Sequence, residues 1–154
     1  MLWLFGLLLA CQNHKMTEQT KDIDHKGWHK DSLLQLTFQP EHAGGTYDIF
    51  FLVRNDNRYP YANLFLIATI ENGRQKIIDT LEYEMADAEG NWLGSGIWDL
   101  KESKLIYKKN YQPADTLPLH ITVQQAVRKP GQIAGDEYLP GIKTIGIIIE
   151  EKTE

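Results

Sequence analysis

Apolar residues recur at every second position in one stretch after another from Leu33 to Glu150, and this narrows the possible folds more than any other feature. Side chains of a strand point alternately to opposite faces, so this period marks segments with one buried face. Leu33–Phe38 alternates at Leu34, Leu36 and Phe38 and stops at Pro40. Tyr47–Val53 is aromatic and β-branched and runs into the loop Asn55-Asp56-Asn57-Arg58. Asn63–Glu71 is apolar throughout its centre, as suits a strand in a sandwich core, and Asn72-Gly73 follows at once. That dipeptide accepts positive φ at both positions and favours a two-residue type I′ hairpin into Lys76–Tyr83. The segment Glu84–Leu100 is irregular and rich in glycine, and Lys104–Tyr111 reads as a further strand. Leu119–Val127 places Leu119, Ile121, Val123 and Gln125 on one side. Ile142–Glu150 places Ile145, Ile147 and Ile149 on one face; a strand this apolar belongs at the centre of a sheet, since an exposed edge would aggregate. No amphipathic helix and no internal repeat accompanies these strands. The expected fold is all-β: an antiparallel β-sandwich, jelly-roll-like, forming a single domain over residues 27–154.

The N-terminus has a different character. Met1–Ala10 carries no charge and is almost wholly apolar. A run of that length is too short to cross a bilayer, which takes ~20 residues, and matches the apolar region of a signal peptide. It ends in Leu8-Leu9-Ala10-Cys11, which resembles the bacterial lipobox, in which the cysteine thiol receives a diacylglycerol and cleavage follows just before it. Residues 1–10 are therefore expected to be a lipoprotein signal peptide, with Cys11 the lipidation site and acyl-chain contact with membrane lipid the first partnership. Two or more acyl chains hold a protein stably, whereas one is marginal. Residues 11–26 are polar and aperiodic, with Met16 and Ile23 the only large apolar side chains, and read as a flexible tether. Cys11 is the sole cysteine, so no intrachain disulfide forms. A net charge of −5 leaves no basic surplus for phosphates, so no nucleic-acid partner is expected.

Patterns that carry chemistry are weak. His25 and His29 have helical metal-ligand spacing, but Gly27 between them disfavours a helix and no further ligands accompany them. Asp87-Ala88-Glu89-Gly90-Asn91 is similar to the start of a calcium loop, but its glycine is displaced and Trp98 stands where the closing glutamate belongs. Asp22, Asp24, Glu82 and Glu84 offer carboxylates for glycoside hydrolysis, with Glu82 and Glu84 on one strand face. Gly94-Ser95-Gly96 lacks the spacing of a nucleophile elbow. No catalytic residue, metal site or cofactor is assigned. Four aromatics in loops or at strand ends, Tyr59, Tyr61, Trp92 and Trp98, together with Pro60, are candidate contacts for a partner protein or a glycan. The other reading of the two tryptophans is that they fold back over an open end of the sandwich.

The stretches Gly27-Trp28-His29-Lys30, Asn57–Leu66, Asp79–Asp87, Gly90–Gly96, Gln125–Lys129 and Gly141–Ile147 cover nearly the whole mature chain. Taken together and in this order, they resemble the GldH gliding-motility lipoprotein family of Bacteroidetes. The resemblance implies a process and a place: a non-enzymatic component of the gliding apparatus and its associated protein-secretion machinery, with other proteins of that machinery as partners. It carries over no catalytic residue. No acidic cluster follows Cys11, which favours an outer-membrane lipoprotein facing the periplasm. Two other readings stay open, a carbohydrate-binding jelly-roll module and a small hydrolase.

Overall fold

A computed structural model describes residues 15–128, 131 and 133–152. Among them there is no helix. The strands are β1 (Met16–Asp22), β2 (Trp28–His29), β3 (Leu34–Phe38), β4 (Tyr47–Asn55), β5 (Asn63–Glu71), β6 (Lys76–Glu84), β7 (Lys101–Tyr111), β8 (Leu119–Gln125), β9 (Tyr138–Leu139) and β10 (Ile142–Glu151). The eight long strands form two antiparallel sheets, a front sheet ordered β1-β10-β4-β7 and a back sheet ordered β3-β8-β5-β6, while β2 and β9 pair as a short ribbon. Among those eight, the first pairs with the last, the second with the seventh, the third with the sixth and the fourth with the fifth. That nesting is one long hairpin rolled into two layers, the jelly-roll expected from the alternation.

The inner faces meet in one core. Ile49, Phe51 and Val53 of β4 and Ile145, Ile147 and Ile149 of β10 come from the front. Leu64, Leu66, Ala68 and Ile70 of β5 and Leu119, Ile121 and Val123 of β8 come from the back. Strand β10 lies between β1 and β4, the central position its isoleucines require. The front sheet also buries a strip on its outer face, Phe50, Leu52 and Ile148. Among the described residues no strand covers this strip. The Lys104 ammonium lies 4.2 Å from the Phe50 ring centroid and that of Lys109 5.2 Å, so cation–π contact and aliphatic stems shield the ring.

Two expectations are corrected. The flexible tether over 11–26 does not hold from Met16 onward, because Met16–Asp22 is strand β1, paired residue for residue with β10 from Met16↔Glu150 to Asp22↔Thr144. Its side chains are nearly all polar and exposed, so it has no hydrophobic period; backbone hydrogen bonds to β10 hold it as an edge strand. Residues 1–10 and Cys11 lie outside the described residues. The hairpin after β5 turns one residue later than expected. Asn72 N–H donates to Gln75 O (3.1 Å), so Gly73 and Arg74 are the central pair, with φ of 79° at Gly73 and no positive φ at Arg74. This is the type II′ pattern, and Asn72 Oδ1 caps the turn by accepting from the Arg74 and Gln75 amides (3.1 and 2.9 Å).

The strands run between two poles. The lower pole, where β1 and β4 begin and β10 ends, carries residues 39–46, 72–75 and 112–118. The upper pole carries residues 23–33, 56–62, 85–100 and 126–141. The nine residues of β4 set the poles ~30 Å apart.

Candidate functional site

All four aromatic candidates fall on the upper pole, but the structure separates them. Tyr59 is 2% exposed and belongs to the core. Its hydroxyl donates to Asn63 O (2.7 Å), and burial pushes its pKa well above the usual tyrosine value. Tyr61 meets Tyr59 edge-on (centroids 5.8 Å) and donates its hydroxyl to the Asp136 carboxylate. Burial, reinforced by that carboxylate, raises the Tyr61 pKa to about 12. Trp92 is half-buried beside Tyr59 (6.1 Å), and its Nε1 donates to Asn57 Oδ1 (2.9 Å). Trp92 thus folds back over the end of the sandwich, as one of the two sequence readings holds. Trp98 does not: it is 88% exposed.

The loop that presents Trp98 is tightly framed. Met85, 1% exposed, pins its start in the core, and Leu93 N–H donates to Met85 O (2.9 Å). Ala86 bridges to Trp92, and Ser95 exchanges two backbone hydrogen bonds with Glu102 (2.9 and 2.8 Å). Gly94 and Gly96 are required there. A Cβ on Gly94 would stand 2.7 Å from Ser103 Oγ, and one on Gly96 (φ 150°) 2.3 Å from Leu100 O. Lys101 Nζ closes the loop on Gly96 O (2.9 Å). Within this frame Trp98 adopts φ 59°, a left-handed conformation that costs an L-residue ~1–2 kcal/mol. Leu93, Ile97 and Leu100 are also exposed, Ile97 at 77%. Sequence reading missed these three. Their one signal was large apolar residues in a glycine-rich stretch with no strand period to place them in a core.

The other sequence candidates do not assemble. The Asp87 carboxylate accepts the Asn91 side-chain amide (3.0 Å) and the amides of Asn91 (2.8 Å) and Glu89 (3.0 Å), which hold its pKa below the usual range. Its oxygens are therefore committed to closing a turn. His29 stacks edge-on against Tyr138 (4.8 Å) and accepts the Asp31 amide. Among the described residues no three His, Cys, Asp or Glu side chains gather as metal ligands do. Asp22 lies on the front sheet and Glu82 and Glu84 on the back, where Glu82 accepts from Asn63 Nδ2 (2.6 Å). Beside Tyr61, on the outer face of the back sheet, an open groove of about 1070 Å³ is lined by Phe65, Asn63, Val127, Lys30 and Arg128.

The resembling motifs are largely architectural. Trp28 is 1% exposed and its Nε1 donates to Ser32 O (2.8 Å). Gly141 (φ 81°) passes so close to the 56–62 loop that a Cβ would stand 2.1 Å from Tyr59 N.

Comparison with known proteins agrees with those motifs. The "Gliding motility lipoprotein GldH homolog" of Christiangramia forsetii is 39% identical over 153 residues, covering 97% of this chain and 93% of that protein. The "Gliding motility lipoprotein GldH" of Flavobacterium johnsoniae is 40% identical over 148 residues, covering 95% and 91%. Among solved structures, the infectious bursal disease virus VP2 subviral particle matches 97% of this chain with a TM-score of 0.39 at 18% identity, and this chain spans 37% of that one. The T13 particle of the same virus gives a TM-score of 0.28 at 16% identity, covering 99% of this chain and 40% of that one. At these scores neither likeness bears on fold or function. The profile of the GldH lipoprotein family matches residues 15–149, and the chain belongs to the GldH lipoprotein family.

Proposed function

We infer that this protein is a non-enzymatic lipoprotein component of a gliding-motility apparatus and its associated protein-secretion machinery. It is cleaved before Cys11 and held at the outer membrane by acyl chains on that residue, with the β-sandwich facing the periplasm. Its work is contact with other proteins of the machinery. The relatives' names support the process, and Leu8-Leu9-Ala10-Cys11 supports the anchor. The observation that carries the contact role is the Leu93–Leu100 loop, a braced frame that spends backbone strain on holding Trp98 in water. Strain retained with no internal packing in return is a mark of a binding segment.

The test is a Cys11→Ala chain in the native host, followed by membrane fractionation, mass spectrometry of the mature N-terminus, and assays of spreading or secretion. The expected result is diacylglyceryl or triacyl Cys11 in the wild type, and release from the membrane with loss of function in the variant. An unmodified Cys11 on the mature wild-type chain, or a Cys11→Ala chain that still sediments with membranes and functions, overturns the reading. One feature favours the carbohydrate-binding alternative: the groove with Tyr61 and Phe65 beside Asn63 has the aromatic and amide groups that sugars use. Binding on a glycan array that is lost in Phe65→Ala would move the assignment there.

A further inference from the structure

The path of the chain relative to its exposed apolar groups gives the domain a direction. Strand β1 starts at the lower pole, with Lys15 O accepting from Glu151 N–H (3.0 Å), so the connection to Cys11 leaves from that pole. From Cys11 to Lys15 is four residues, a reach of at most ~14 Å. Of the large exposed apolar side chains among the described residues, Leu33, Leu93, Ile97, Trp98, Leu100, Ile133 and Tyr138 lie on the upper pole, Ile78 and Ile106 along β6 and β7, and Met16 on the lower pole.

We propose that the Leu93–Leu100 loop is a docking surface for a partner protein in the aqueous compartment, held by the fold on the side of the domain that faces away from its own membrane. This rests on acylation of Cys11. Three observations select a protein rather than the bilayer or the chain's own N-terminus. The N-terminal segment departs ~30 Å from the loop, and residues 12–14 cannot bridge that span. The loop borders the front sheet, where Ile97 and Leu100 line one recess with Arg54 and Glu102, so a domain tipped to bring Trp98 to the bilayer lies on that sheet. The edge strand there presents Glu18 and Asp22, with no cation within 4 Å of either among the described residues, whereas Arg54 and Lys104 are paired with Glu102 and Glu150, and Lys109 and Lys152 both with Asp48. The cations of this face are thus committed to its own carboxylates and leave no basic surplus to attract lipid phosphates. Finally, Leu93, Ile97, Trp98 and Leu100 expose on the order of 500 Å² of apolar surface, the size of a functional patch on a monomer and most of the ~800 Å² that one side of a standard protein interface needs. The partner therefore offers an apolar recess for Ile97 and Trp98 within a polar rim.

The experiment uses the acylated full-length mature chain. Once Cys11 is acylated, a cysteine introduced at His42 (lower pole) or Asp99 (upper pole) is the single free thiol. Acylation is verified by mass first, so failure of the anchor is distinguished from failure of the orientation. Energy transfer from each label to a headgroup acceptor in phosphatidylethanolamine–phosphatidylglycerol vesicles is expected to place label 42 near the surface and label 99 ~30 Å higher. In cells, a photo-crosslinker at Ile97 is expected to form a protein adduct, identified by mass spectrometry, that drops at least tenfold in a Trp98→Asn background. Label 99 lying as close to the bilayer as label 42, adducts only to phospholipid, or adducts indifferent to Trp98→Asn would each overturn the proposal.

Discussion

Replacing Trp98 by asparagine separates a presented side chain from a structural one. Trp98 is 88% exposed, so about 30 Å² of a ~250 Å² side chain is in contact, worth roughly 0.8 kcal/mol at ~25 cal/mol/Å². Against that stands the left-handed backbone at φ 59°, which costs an ordinary L-residue ~1–2 kcal/mol and which asparagine adopts readily. The two terms nearly cancel, and the balance is zero to about 1 kcal/mol in favour of the variant. For a domain of this size that is a Tm unchanged or raised by ~2–5 °C. Trp28→Ala, by contrast, empties a site that is 1% exposed and is expected to cost ~3–5 kcal/mol. The assay is thermal unfolding followed by far-ultraviolet circular dichroism on the mature protein in detergent, with a chemical-denaturant series to confirm an unchanged m-value. Partner capture by Trp98→Asn should weaken by at least ~30-fold, the ~2 kcal/mol of an interface hot spot. A drop in Tm of more than ~3 °C would refute the reasoning, because it would mean that Trp98 packs against its own domain and is not available to another.

Two further outcomes follow from the same geometry. Gly73 and Gly141 have nearly equal φ (79° and 81°), but a Cβ meets nothing within 4 Å at Gly73 and would stand 2.1 Å from Tyr59 N at Gly141. Gly73→Ala should therefore cost only the ~1–2 kcal/mol of the conformation, while Gly141→Ala should cost at least ~3 kcal/mol or prevent folding, as denaturant midpoints will show. At high pH, Tyr83 is held neutral to about 12, first by burial and then by the nearby Asp79 charge. A folded pKa raised above the unfolded value of ~10 stabilises fully below pH 10 and is lost as pH rises through 12. Unfolding free energy should fall across that window and fall less in Tyr83→Phe; equal slopes in the two proteins would sink the assignment.

The sequence was sufficient for every element whose side chains record a burial period. Leu119, Ile121, Val123 and Gln125 read as one face and are all buried, and Ile145, Ile147 and Ile149 demanded a central strand and occupy one. A core removes alternate side chains from water, so the residues themselves store that information. Strand β1 stores none. Its polar side chains face solvent, and the backbone bonds to Gly146 and its neighbours that order it are open to almost any sequence. The aromatics of the upper pole show the same limit. Tyr59, Trp92 and Trp98 are alike as loop residues in the chain, and only the packing of the 56–62 loop against Gly141 and Met85 decides that the first is core, the second a half-buried cover and the third displayed. Burial is recorded locally when it repeats with the period of an element. Where it depends on which loops meet at the end of a sandwich, it is a property of the assembled fold alone.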